Sequence, residues 1–430
     1  MVARISTLFG NRRDAMSHPL QRRAMPALRA STILIGLAVP ISTALDNFLL
    51  AVVLLGLLFN APAVWQNMSR NPAARAAWLL FGMLALVVFY GATPTGEVFG
   101  VLGKYFDLAF VPLFMLMFAA EKTRVWAERA YIGAMGLTLF LSCLVGFKLL
   151  AVQTWMSGIS SADNPVIFHS HITQNNMMAY AAFLALLKCR DALTGRSRLA
   201  WLAFAALAIA NVLFMVQGRT GYIILSLLLC WFAWTSLARY SRQRGKIWGW
   251  KQGAMVMLAS IFLVTGAYFV SPRLHERVSL VAAEMQAWQP NQENQSSSTG
   301  TRLNFYYNAI QIVAKHPLLG VGTGGFEAAF TGQIQGTNLS TTPNPHNEFL
   351  LISAQTGLIG LALMVYLFAT LWRTAPRLDT AYGQDAARGL VLAYVVNCAL
   401  NSALHDHADG LFFAWMVALL FSTLRIRRHG

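Results

Sequence analysis

The chain has 430 residues, of which 56% are apolar and only 12% charged, and its mean hydropathy is +0.51. A soluble globule built this way lacks the polar residues to cover its surface, which excludes soluble enzymes and soluble binding modules and points to a membrane protein. The net charge of +16 suits nucleic acid only where the charges gather on one folded face; here they follow membrane topology instead, and no nucleic-acid partner is expected.

The first 30 residues are basic, and no small-residue cleavage site follows the next apolar run. Residues 1–30 therefore read as a cytoplasmic tail before an uncleaved first helix. A bilayer core needs roughly 20 apolar residues per helix. Twelve stretches qualify, near 31–45, 47–65, 76–92, 98–119, 130–150, 171–187, 199–217, 220–238, 252–270, 349–372, 387–404 and 410–424. Cys143, Cys189, Cys230 and Cys398 all lie inside them, without CxxC or Cys/His spacing, so neither disulfide nor zinc is implied.

Of the 33 Lys and Arg residues, 26 fall in loops on one face. The bias of Lys and Arg toward cytoplasmic loops puts both termini in the cytoplasm. The predicted fold class is all-α, a polytopic membrane helical bundle of about 12 transmembrane helices with a partly helical periplasmic loop. Helices one to nine occupy 31–270, the large outer loop 271–345, helices ten to twelve 346–424, and a short cytoplasmic tail 425–430.

The outer loop is long enough to be functional. Leu303, Tyr306, Tyr307, Ile310 and Ala314 recur at helical spacing and predict an amphipathic helix ending at Lys315-His316-Pro317. A second short helix is expected from Arg277 to Trp288, with a polar surface run from Gln292 to Gly300 between the two. On this arginine-poor side, Arg219, Arg273, Arg277 and Arg302 each need a local reason.

Gln217-Gly218-Arg219-Thr220-Gly221 forms a tight turn between the seventh and eighth spans. Arg219 there is either a snorkelling helix-end charge or a planar guanidinium placed to bind phosphate. Thr301-Arg302 opens the loop helix, where an anion is already favoured; Arg273 and Arg277 are weaker candidates for the same role. Gly320 to Gly325 matches GxGxxG literally, but without a preceding strand, so a dinucleotide site is rejected and a flexible turn presenting amides remains. Pro343-Asn344-Pro345-His346-Asn347-Glu348 stiffens the mouth of the tenth span, with His346 at a defined height and Asn347 a helix cap; Glu348 either orients His346 or faces lipid headgroups. His405-Asp406-His407-Ala408-Asp409 invites a metal, but the donors crowd into one short segment, and a hydrogen-bonded structural cluster is the preferred reading. Lys104, Asp107 and Lys148 fall in or near spans, where charge is costly, so each should face a polar cavity.

In combination, these features resemble the O-antigen ligase family and its wider polymerase–ligase superfamily. The resemblance is carried by the Gly-Arg-Thr-Gly turn, the large outer loop, Thr301-Arg302 followed by Lys315 to Gly322, and His346-Asn347 with Gly357 and Gly360 downstream. It implies transfer of a glycan from an undecaprenyl-diphosphate carrier at the periplasmic side of the bacterial inner membrane, in the ligases to the lipid A-core of lipopolysaccharide. It implies no cofactor, and both substrates are amphiphiles reached through membrane lipids. The family's two motif arginines and loop histidine carry over onto Arg219, Arg302 and His346.

The chemistry of the residues agrees with this. A diphosphate is a competent leaving group whose charge two arginines can bind, and the chain has no DxD motif. A sugar hydroxyl is a poor nucleophile that gains from a histidine base. The reaction expected is a direct, single-displacement, metal-independent transfer with inversion at the anomeric carbon. Arg273, Arg277, Lys104, Lys148 and Asn347 are the further substrate-binding candidates. The rivals are an O-antigen polymerase using the same donor, a protein glycan ligase and a twelve-span transporter; one dominant outer loop favours the ligase.

Overall fold

The computed structural model describes residues 19–91, 95–245, 279–280, 283–291 and 298–424. Arg273 and Arg277, the ninth expected span near 252–270 and the run 292–297 lie outside them. Among the described residues the fold is all helical, with only an isolated bridge between Ser161 and Asn164. The first nine helices are α1 (Pro19–Ala38), α2 (Thr43–Arg70), α3 (Pro72–Leu86), α4 (Thr95–Lys104), α5 (Asp107–Met117), α6 (Glu121–Gly146), α7 (His171–Asp191), α8 (Gly195–Ala210) and α9 (Arg219–Gln243). After them come α10 (Ser298–Lys315), α11 (Phe326–Gln333), α12 (Glu348–Thr374), α13 (Ala381–Leu400) and α14 (His407–Phe421).

Many starts are written locally. Ser42, Asn71, Ser170, Thr194, Asn347, Thr380 and Asp406 each accept a backbone N–H of the first turn that would otherwise be orphaned. Helix α1 begins at Pro19, inside the stretch read as a tail.

Among the described residues, six helices are long and apolar enough to cross a membrane, at Pro72–Phe89, Glu97–Met117, Glu121–Gly146, Gly195–Met215, Arg219–Gln243 and Glu348–Arg377; a seventh arises if the bent arms Thr43–Gly56 and Asn60–Arg70 form one crossing. The sequence predicts about twelve. Part of the difference is polar content: Gln174, Asn175 and Asn176 dilute α7, and Gln384, Asp385 and Arg388 dilute α13. Part is interruption. The first expected span, 31–45, stops at Ala38 and turns through Pro40, and the last, 410–424, forms a helix of only 15 residues, α14.

The tenth expected span is broken at Gly357, whose φ of 68° and ψ of −167° suit only glycine. Phe349 and Phe368, which an unbroken helix would hold about 28 Å apart, have ring centroids 6.3 Å apart. The two arms of α12 therefore fold back on each other, and residues before Gly357 form a re-entrant arm. The glycine-rich run packs on that arm: Val321 N donates to the Ala354 carbonyl at 2.8 Å, Gly322 N to Gln355 O at 3.0 Å and Gly324 N to Gln355 Oε1 at 2.7 Å. Its amides serve the fold, which corrects the expectation of a flexible turn offering them to a ligand.

Helix α14 is apolar all round and buried from Ala408 to Leu419, as a helix without a polar face must be. It packs on α5 and α13, with Phe412 against Tyr131 and Tyr180, and Phe413 against Tyr394. The bundle has two chemically different ends. At one, α6, α7, α9 and α13 are joined by Lys188–Glu128 at 2.8 Å, Arg190–Asp385 at 2.7 Å and Arg239–Asp191 at 2.5 Å. At the other, the starts of α7, α9, α12 and α14 meet the end of α13 around a cleft.

Candidate active site

The Arg219 turn is shaped from below by α7. Gly221 lies so close that a Cβ there would be 2.5 Å from that of Asn175. Buried Asn175 donates from Nδ2 to the Val216 carbonyl at 3.2 Å. From the side the turn is held by the segment 147–170: Gln217 N donates to Asn164 Oδ1 at 2.9 Å, and Gln217 Nε2 to the Asp163 carbonyl at 3.2 Å. Val145, Met156 and Ile167 give that segment its own apolar anchor. Arg219 is the first residue of α9 and is exposed.

The amphipathic loop helix forms as α10 and ends at Lys315, but its buried face differs from the one expected. Ala309 and Ile312, with Phe305 and Val313, pack on Phe326, Phe330, Leu351 and Ala354, while Ile310 and Ala314 are exposed. Asn304 and Asn308 are buried, and the preceding segment meets one polar atom of each. Trp288 Nε1 and Asn291 N both donate to Asn304 Oδ1 at 3.1 Å, and Asn308 Nδ2 donates to Asn291 Oδ1 at 2.8 Å. Arg302 is the fifth residue of this helix, and its charge bears on His171, Tyr306 and His346.

His346 sits on a braced turn. Its N donates to Asn344 Oδ1 at 3.0 Å, Ser402 Oγ donates to the same oxygen at 3.2 Å, and Tyr306 Oη donates to the His346 carbonyl at 3.4 Å. The residue is held at φ 53°, a left-handed conformation that costs a non-glycine residue energy and recurs at functional sites. Its ring stacks on Phe305 with centroids 6.0 Å apart. Burial, and then the Arg302 charge, lower its pKa from the ordinary 6.5, so the imidazole is neutral and able to accept a proton.

A cleft of about 340 Å³ opens beside it, lined among others by Lys104, Ser170, Thr173, Asn344, His346 and His405. Lys104 closes α4 at the break before α5 and faces this cleft. Lys148, expected inside a span, is instead exposed beyond the end of α6, so it bears no membrane burial cost. Among the described residues, neither Arg219 nor Arg302 nor Lys104 pairs with a carboxylate.

The outer turn from His405 to Asp409 is a hydrogen-bonded cluster whose partners come from distant helices. His407 Nε2 lies 3.0 Å from Asp46 Oδ1 of α2, and Nδ1 lies 3.4 Å from Asp107 Oδ2 of α5, so both ring nitrogens are committed to carboxylates. Buried Asp409 accepts from Thr173 Oγ1 at 2.8 Å and Asn176 Nδ2 at 2.6 Å. The pKa of His405 is pushed down to about 3 by burial and by Lys104.

Two expectations are corrected. Glu348 neither orients His346 nor faces lipid headgroups: it is fully buried and accepts from Tyr105 Oη at 2.8 Å, Leu404 N at 2.9 Å and His405 N at 3.1 Å. The Asn347 side chain, expected to bind substrate, is committed to the fold. Its Oδ1 caps α12 by accepting from Leu350 N at 3.0 Å, and its Nδ2 donates to Ala399 O at 2.9 Å.

The structure thus brings Arg302 and His346 together. Gly218, next to Arg219, lies where a Cβ would be 3.5 Å from Cδ2 of His171, and the Arg302 charge falls on the same His171. Sequence reasoning missed His171 and the ordered segment before it; the signal was His169-Ser170-His171 at the mouth of a span that then carries three consecutive amides.

The chain is thus a helical membrane protein in which Arg219, Arg302 and Lys104 pair with no carboxylate among the described residues and His346 opens on a cleft. Residues 181–365 match the family model described as O-antigen ligase, and this stretch, which contains Arg219, Arg302 and His346, belongs to that family. The resemblance read from the motifs is borne out over it. Comparison with curated proteins finds no match.

Proposed function

We propose that this protein is a glycosyltransferase of the periplasmic face of the bacterial inner membrane, which moves O-antigen glycan from undecaprenyl diphosphate to the lipid A-core of lipopolysaccharide. The observation that carries the reading is His346, held in a left-handed turn within the field of Arg302 and opening on a cleft. On this reading the polypeptide crosses the membrane about twelve times with both termini cytoplasmic; the paired cations at the opposite end of the bundle support that orientation.

Arg219 and Arg302 bind the diphosphate and carry the charge that grows as the bond from the anomeric carbon to phosphate oxygen breaks. The acceptor hydroxyl in the cleft gives its proton to His346 while its oxygen bonds to the anomeric carbon from the opposite face. The configuration inverts, and undecaprenyl diphosphate leaves. A positioned base contributes roughly 10² to 10⁴ in rate.

Three imidazoles border the cleft, and their surroundings select one. His405 at about 3 is too weak a base at neutral pH, and His407 has both nitrogens on carboxylates. His346 is the base that remains. With the arginines meeting the diphosphate charge, transfer proceeds without a divalent metal, and Lys104 supplies a further cation to whatever occupies the cleft.

One observation favours the polymerase as a second reading. The segment 147–170 is a second ordered outer element that buttresses the Arg219 turn, so a single dominant loop no longer argues for the ligase. Reconstituted protein given a defined diphosphate-linked donor and either lipid A-core or a lipid-linked glycan as acceptor decides between them. The ligase requires transfer to the first acceptor alone, and transfer to neither ends both readings.

A further inference from the structure

We infer that His171 is a third donor-binding side chain, which holds a phosphate oxygen of the diphosphate between the guanidiniums of Arg219 and Arg302. This rests on the donor site proposed above. The matched family stretch starts ten residues further on, at residue 181, so the inference comes from the geometry of this chain.

His171 is the first residue of α7, in a helix start fixed by Ser170, whose Oγ accepts from Thr173 N at 3.2 Å. Its placement is therefore as rigid as the bundle. Its ring edge meets the turn that launches Arg219: Gly218 lies where a Cβ would be 3.5 Å from Cδ2. The helix that carries Arg302 reaches the neighbouring His346, with Phe305 stacked on its ring and Tyr306 Oη donating to its carbonyl, and the Arg302 charge falls on His171 and on His346 alike. Ser170 and Ile172, its neighbours in sequence, line the cleft. One half-buried imidazole thus lies beside the turn before Arg219 and within the field of Arg302, which come from separate elements, α9 and α10.

The chemistry suits the position. An imidazole presents at least one N–H in either protonation state, and a directional donor between two cations complements a diphosphate, whose oxygens outnumber what two planar forks can meet. No carboxylate among the described residues pairs with either arginine.

The test is donor kinetics of the full-length protein in proteoliposomes at saturating acceptor, with inorganic diphosphate as a competing probe. For His171→Ala the donor KM and the inhibition constant of diphosphate should both rise about tenfold, the loss of one charge-assisted bond. The acceptor KM should be unchanged, and His171→Gln, which restores an N–H, should recover part of the loss. Three results overturn the inference: unchanged donor KM and diphosphate inhibition in His171→Ala, an equal rise in acceptor KM, or a fall in turnover and melting temperature without any shift in diphosphate inhibition. If wild-type protein fails to transfer from a diphosphate-linked donor, the proposed function falls; if wild type transfers and His171→Ala matches it, only this assignment falls.

Discussion

The two ends of the bundle use the same residue types in opposite ways. At the end where α6, α7, α9 and α13 meet, Arg190 is held by Asp385 and Asp191 and by Thr235 Oγ1, and Lys188 is held by Glu128, which also receives the Tyr382 hydroxyl. At the other end Arg219, Arg302 and Lys104 pair with no carboxylate among the described residues, although that end also holds Asp46, Asp107, Glu348 and Asp409. Those four acids are committed elsewhere: two to His407, one to Tyr105 and two backbone amides, one to Thr173 and Asn176. Acids that compensate cations at the first end are withheld from them at the second. Paired charge at a helix junction serves assembly; unpaired charge beside a cleft is available to a ligand.

That contrast can be broken at either end, and the largest effect is expected at His346. His346→Ala should lower in vitro transfer by roughly 10² to 10⁴ while the protein inserts normally; activity within a fewfold of wild type would remove it as the base. Glu348→Ala leaves three donors buried without an acceptor and should cost on the order of 3 kcal/mol of stability, read as a lower melting temperature in detergent. Glu348→Gln should fall between the two. Arg302→Lys keeps the charge but loses the planar fork, so transfer should drop by about tenfold or more, measured at saturating acceptor.

The pH profile sharpens the same comparison. Because burial and Arg302 lower the pKa of His346 from 6.5, its neutral form persists into mildly acidic solution, and the acid limb of kcat/KM should lie below that value. Arg302→Ala removes a neighbouring cation and should move the limb upward; an unmoved limb would mean that His346 does not set it. The smallest effect belongs to the other end. Arg190→Lys should lower stability by about 1 kcal/mol or less, with transfer unaltered.

Much of the fold was legible in the sequence. Apolar stretches marked the helices, and Asn347 and the Lys315-His316-Pro317 stop marked two boundaries that the structure reproduces. What escaped was long-range. The fold-back at Gly357 depends on the Pro317 to Gly322 chain packing against it, with Leu358 N donating to the Pro317 carbonyl at 2.8 Å, and no local pattern encodes that. The buried face of α10 was misassigned because Asn304 and Asn308 look solvent-facing until Trp288 and Asn291 are seen to bond to them. At the site, Arg302 and His346 were found from their positions at a helix start and a proline-stiffened turn. His171 was not, since the run His169-Ser170-His171 ahead of an apolar stretch gains its meaning only when Gly218, next to Arg219, is seen beside it.

The central claim is that the guanidiniums of Arg219 and Arg302, which pair with no carboxylate among the described residues, receive the donor's diphosphate. The most direct measurement compares reconstituted wild type with Arg219→Lys/Arg302→Lys in chelator, following glycan transfer from a defined undecaprenyl-diphosphate donor. Wild type should transfer undiminished by the chelator, and the double variant should be slower by at least the tenfold expected of one lost fork. Equal rates for the two proteins, or abolition of wild-type transfer by the chelator, would contradict it.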